Sequence, residues 1–258
     1  MDGETSASGA ISGSLSGSVL RLALARPDRL NALGTAALDE LAHQIDRAAS
    51  DDRVRAVTLT GEGRAFCSGA DLGTVVDAGT VEAANRAVLA LRRTGKPVVA
   101  AVNGAAVGVG CSLALACDLV IARRSAYFLL AFAALGLMPD GGATALVPAA
   151  VGRARAMRMA MLGERIPAGT AFEWGLISMV VDDDAFEATV ESVAAQLADG
   201  PPLAHERTKH ALNAAVLPGL TRALETERTG QGELLRSQDF SEGLAAFRDH
   251  RQPKFTGR

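Results

Sequence analysis

Three glycine-rich turns contain the residues whose types and spacing could do chemistry. The most informative is Asn103-Gly104-Ala105-Ala106-Val107-Gly108-Val109-Gly110-Cys111-Ser112. The apolar run Pro97 to Val102 precedes it and reads as a buried strand, and the apolar run Cys111 to Cys117 reads as a helix. Glycines at 104, 108 and 110 let the backbone turn sharply and approach a neighbour closely. A helix opening near Val109 leaves its first N–H groups unpaired and aims a partial positive charge forward. Such an end suits an anion, or an oxygen that becomes one. The same segment also reads as a plain strand-to-helix connection. It is not a dinucleotide fingerprint, because Gly108-x-Gly110 lacks a third glycine three residues on, and no Walker lysine follows.

The second turn, Gly61 to Leu72, includes Ser68, Gly69, Ala70 and Asp71, with Asp71 placed to cap the next element. The third is Leu135-Gly136-Leu137-Met138-Pro139-Asp140-Gly141-Gly142. Its Asp140 supports two readings, an N-cap in an ordinary turn before a helix or a group that moves protons. Ser112 has no paired base in sight, which argues against a nucleophile. The four histidines (His43, His205, His210, His250) never form HExxH, and the three cysteines (Cys67, Cys111, Cys117) form no CxxC, so no metal is expected.

The elements that must position these turns follow from pattern. Residues 1–9 read as a disordered tail. Ala10 to Leu15 and Val19 to Leu24 flank Ser16-Gly17 as a hairpin, which Pro27 ends. Leu38, Leu41, Ala42, Ile45 and Ala48 form the stripe of a helix from Thr35 to Ala49. Val54 to Thr60 is a strand, residues 73–80 read as mobile, and Val81 to Arg93 is a helix. Asp118 to Ala122 and Ala126 to Leu130 are strand-like. One helix runs through Val151, with others at Arg153 to Leu162 and Pro167 to Trp174, and Ile177 to Val181 is a last small strand. From residue 184 the helical stretches 184–199, 202–215, 218–237 and 241–250 show no strand signal. Strands alternating with helices, then helices alone, predict an α/β core followed by a helical region.

At 258 residues and 48% hydrophobic, the chain can bury a large core. A net charge of −3 and the lack of a basic tract argue against nucleic acid and anionic membranes as partners. No apolar run reaches about 18 residues, so no spanning helix is expected. The polar N-terminus has no apolar core of a signal peptide. Reduced thiols then suggest a cytoplasmic protein.

Together the three turns resemble the signatures of the crotonase (enoyl-CoA hydratase/isomerase) superfamily. Arg64 to Leu72 is similar to the first, Asn103 to Asp118 to the second, and Gly136 to Gly142 to the third. Arg26-Pro27, Asn31-Ala32, Asp182 and the ending Pro253-Lys254-Phe255 also fit, so the resemblance spans residues 10–257. It looks closest to the phenylacetate-pathway isomerase branch. What it implies is a ββα spiral core (10–183) that binds acyl-CoA, and a helical oligomerisation region (184–258) building a homotrimer or a dimer of trimers. It implies no cofactor beyond the CoA of the substrate. The positions similar to the family's oxyanion donors are the backbone N–H groups of Ala70 and Val109. Ser68, Asp71, Leu72, Gly108, Phe132 and Lys254 are the further candidates for substrate contact, and Arg29 could meet CoA phosphates. The two glutamates that hydratases place around a water correspond here to Ser112 and Phe132. Asp140 stands where the isomerase branch has its single base. The resemblance therefore favours double-bond isomerisation, with enoyl-CoA hydration by another base, or acyl-CoA binding without turnover, as alternatives.

Overall fold

The computed structural model describes residues 9–258; the tail expected at 1–9 lies almost wholly outside them. The first strands, β1 (Ile11–Ser16) and β2 (Val19–Leu24), form the expected hairpin, and Gly17 takes the positive φ of 59° that its turn requires. Helix α1 (Thr35–Ser50) follows, burying Leu38, Leu41 and Ile45 along one face. Each such leucine adds about 1.5–3 kcal/mol of burial free energy.

The middle of the chain repeats one unit. Strands β3 (Ala56–Gly61) and β4 (Ala65–Cys67) lead to α2 (Ala78–Arg93). Strands β5 (Val98–Val102) and β6 (Ala105–Val107) lead to α3 (Val109–Ala116). Strands β7 (Leu119–Arg123) and β8 (Tyr127–Leu129) lead to α4 (Ala143–Leu162). The first strand of each pair joins a six-stranded sheet, β1-β2-β3-β5-β7-β10, and the second joins a smaller one, β4-β6-β8-β9, with β9 at Ile166–Pro167 and β10 at Met179–Val181. This is a ββα spiral. All ladders are parallel except β1–β2 and β8–β9. Central β5 is buried along its whole length, which explains its unbroken Val/Ala run.

Three differences from the sequence reading have local causes. β4 and β6 lie inside stretches read as loops, because three-residue strands cannot display a period of two. Helix α2 starts at Ala78 rather than Val81. Asp77 caps it by accepting from Thr80 N–H (3.1 Å), while Thr80 Oγ1 accepts from Asp77 N–H (3.5 Å), a reciprocal box with no apolar stripe to announce it. Asp71 caps no helix; a turn follows it. The expected break after Val151 is present, since Gly152 has φ 76° and splits α4.

The remaining helices are α5 (Ala168–Glu173), α6 (Phe186–Asp199), α7 (Pro202–Val216), α8 (Leu220–Leu234) and α9 (Gln238–Arg248). Helix α6 packs on the large sheet, with Phe186 beside Val99, Ala101 and Ile121. Helix α8 packs against α2 and α4, and α9 against the turn Ala131–Leu135. Among the described residues no helix is long and apolar enough to cross a membrane.

Candidate active site

Parallel strands β4, β6 and β8 all end on the same side of the small sheet, and each delivers a functional turn there. β4 runs into Ser68-Gly69-Ala70, β6 into Gly108-Val109, and β8 into Leu130 to Phe132. Ligands of parallel sheets collect at this carboxyl edge.

The first two turns touch. A Cβ added at Gly69 would sit 3.2 Å from Val107 O, and one added at Gly110 would sit 2.5 Å from Cys67 Cβ and 2.8 Å from its carbonyl oxygen. Gly108, at φ 54°, donates its N–H to Leu129 O (2.8 Å) and forms the N-cap of α3. Val109 is then the first helical residue, and its N–H has no protein acceptor among the described residues. At Ala70 a parallel bridge to Leu33 uses Leu33 N–H on Gly69 O (2.9 Å) and Asp71 N–H on Leu33 O (3.0 Å). That pattern leaves the Ala70 N–H facing away, and it too has no protein acceptor among the described residues. Two adjoining turns thus each offer a free main-chain donor, with the α3 dipole behind one of them.

Both residues line a cavity of about 920 Å³. Its buried wall includes Leu38, Val81 and Ala84, and Phe132 reaches within 3.9 Å of the position of a Cβ at Gly108. Leu72 and Ser68 also line it; Ser68 Oγ donates to Arg29 O (3.3 Å). Exposed Arg29 and Arg64 stand at its rim, and neither is in an ion pair among the described residues.

Three carboxylates border the cavity, and only Asp140 joins burial to an unpartnered oxygen. Asp28 is exposed. Asp71 accepts from Arg26 Nη1 (2.8 Å) and Gly73 N–H (3.0 Å). Burial pushes its carboxyl up, but Arg26 and Gly73 outweigh burial and hold it below the usual range. Asp71 therefore braces its loop. Asp140 is buried, and its Oδ2 accepts from Gln231 Nε2 (2.8 Å), while Oδ1 has no partner. Burial raises its carboxyl to about 7; the Gln231 hydrogen bond pulls it down and the charge of Glu227 pushes it up. The N-cap reading of Asp140 does not hold. Gly142 is the N-cap residue of α4, and Asp140 makes no side-chain capping bond.

The cap comes instead from Glu227 on α8, which accepts from Gly142 N–H (2.7 Å) and Thr144 N–H (2.8 Å). Neither Glu227 nor Gln231 was singled out in the sequence. The signal that could have found them is positional. Leu220, Leu224, Glu227 and Gln231 share the buried stripe of α8, so two polar residues occupy core-facing positions.

Two other candidates, Ser112 and Lys254, are not part of the cavity lining. Ser112 is fully buried, with Oγ donating to Asp140 O (2.7 Å). Lys254 is exposed and lies off the cavity, in an open recess with Glu242, whose carboxylate accepts the Lys254 N–H (2.7 Å). No histidine or cysteine lines the cavity among the described residues.

The family model described as enoyl-CoA hydratase/isomerase matches residues 14–258. This chain belongs to the enoyl-CoA hydratase/isomerase family. The 1,2-epoxyphenylacetyl-CoA isomerase of Escherichia coli K12 is 43% identical over 250 residues, covering 93% of this chain and 95% of the relative. A probable enoyl-CoA hydratase of Rhodobacter capsulatus is 45% identical, covering 92% and 94%. The crystal structure of an enoyl-CoA hydratase from Mycobacterium avium subsp. paratuberculosis K-10 superposes with a TM-score of 0.92 at 47% identity, covering 96% of this chain and 98% of that one. Enoyl-CoA hydratase/isomerase relatives thus include proteins named for either reaction, and the choice between them falls to the site.

Proposed function

We propose that this chain is an enoyl-CoA isomerase that shifts a double bond through a thioester enolate. The observation that carries the reading is Asp140, a buried residue of the cavity lining whose Oδ1 has no partner, beside two main-chain N–H groups of the same lining that have no protein acceptor among the described residues. The thioester oxygen accepts from Ala70 and Val109 N–H, which stabilises negative charge as it develops there. Asp140 takes a proton from one carbon of the acyl group and returns it to another. One group suffices for this, because no water enters and no atom leaves. Hydration needs a second group to activate water, and Phe132 occupies one of the two positions where it would be expected. The identity to an isomerase of a CoA-linked epoxide supports an acyl-CoA thioester as substrate. The buried wall of Leu38, Val81 and Ala84 suits an uncharged acyl group. Arg29 and Arg64 at the rim suit the phosphates of CoA.

The trimer or dimer of trimers is proposed to assemble through residues 184–258. Leu212 and Val216, one turn apart on α7, remain exposed in the single chain, and sedimentation of the pure protein reads the assembly directly.

The test pairs Asp140→Asn with assays of 3-enoyl-CoA isomerisation and 2-enoyl-CoA hydration. Isomerase turnover that exceeds hydration in the parent and falls about 100-fold or more in the variant is expected. Hydration as the main activity would favour the hydratase reading. Acyl-CoA binding with no turnover would favour a binding protein.

A further inference from the structure

The turn that presents Asp140 is gripped largely from a helix some ninety residues away. Gln231 on α8 bridges two groups of the turn, its Oε1 accepting from Met138 N–H (3.2 Å) and its Nε2 donating to Asp140 Oδ2 (2.8 Å). The first bond orients the amide, so the donor end must face the carboxylate. One helical turn earlier, Glu227 accepts from Gly142 N–H (2.7 Å), Thr144 N–H (2.8 Å) and the Thr144 hydroxyl. The spacing of four residues places both side chains on one face of α8. They are 1% and 0% exposed, so water does not compete for these bonds. From α3, on another side, Ser112 Oγ donates to the main-chain oxygen of Asp140 (2.7 Å).

We infer that Gln231 and Glu227 are positioning residues for Asp140, Gln231 clamping one carboxylate oxygen so that the other is left without a protein partner, and Glu227 fixing the helix start behind it. The inference rests on the reading of Asp140 as the proton-moving group. The two residues also act on its proton affinity in opposite senses. The Gln231 donor favours the charged carboxylate, whereas the Glu227 charge disfavours it. The groups facing Asp140 are Gln231 and Glu227 from α8, Ser112 from α3, and uncharged Val109, whose Cγ2 lies 3.6 Å from the position of a Cβ at Gly141. None of them is a cation.

The experiment follows the Asp140 carboxyl by infrared titration in the full-length protein, against an Asp140→Asn baseline, and records the pH profile of kcat/KM for 3-enoyl-CoA. Gln231→Met removes the donor at nearly the same volume. It is expected to move the titration and the acid limb upward by about one unit, which lowers kcat/KM at pH 7 by about fivefold. Glu227→Gln is expected to move both downward. Residues that only held the fold would lower the melting temperature without opposite shifts. An unmoved titration in Gln231→Met overturns the inference, and this variant alone decides if Glu227→Gln does not fold. Full isomerase activity in Asp140→Asn would instead remove the base reading, while the infrared titration still reports whether Gln231 holds the carboxylate.

Discussion

Asp140 combines burial, a single hydrogen bond to its carboxylate and one unpartnered carboxylate oxygen, and burial raises its carboxyl to about 7. Near pH 7 such a group is almost equally ready to take a proton and to give it back, which a transfer between two carbons requires. The same burial has a cost in stability. The folded state keeps the proton to higher pH than the unfolded chain does, where the usual value is 3.8. The contribution of Asp140 to stability is therefore most favourable below about 4, falls as pH rises toward about 7, and is flat above. Asp140→Asn is expected to melt above the parent at pH 8, by an amount on the order of 4 kcal/mol at most, with the gap closing as pH falls toward 4. Melts at the two pH values check this, and a gap that widens on acidification would contradict it. Asp140 itself was legible, because its turn stands in a recognisable signature, but its local pattern suited a cap equally well. What separates the readings is contact with α8, and side chains that meet across ninety residues leave no spacing in the sequence.

At the scale of elements, the site depends on how closely two strand-to-helix turns approach. Gly110 lies against Cys67 so tightly that a methyl group would overlap its Cβ and main-chain oxygen. Glycine spacing made this approach readable from the sequence. The small sheet that causes it was not readable, because β4 and β6 are three residues each and gain their identity only by pairing with neighbouring strands. The donor at the start of α3 can be removed with little change to the helix. Val109→Pro deletes that N–H at a first helical position, where proline's fixed φ fits. Isomerase kcat is expected to fall about 100-fold or more in a variant with unchanged circular dichroism. A loss below about fivefold would show that the Val109 N–H does not bind the developing charge.

Across the whole molecule, the spiral of ββα units provides a rigid edge, and α8 and α9 close over it, so the cavity is bounded by both halves of the chain. The change from mixed to purely helical composition after residue 183 was legible. That the helical part also reaches the site was not, since its residues Gln231, Leu235 and Ala246 become lining only through packing. An inner wall that is apolar around Leu38, Val81 and Ala84, and that carries the Asp140 carboxyl, should select against an acyl end with a negative charge. Relative kcat/KM is expected to be at least tenfold higher for an uncharged 3-enoyl-CoA than for one ending in a carboxylate, since burying an unpaired charge is unfavourable. Equal values would place the acyl end outside this wall. The enolate mechanism itself requires one oxygen to meet both main-chain donors, and a crystal structure with a slowly reacting acyl-CoA measures that directly. The thioester oxygen is expected at about 2.7–3.1 Å from the nitrogens of both Ala70 and Val109, with Asp140 Oδ1 over the adjacent carbons. A thioester oxygen that touches neither nitrogen, or an Asp140 carboxylate turned away from the acyl carbons, would contradict it.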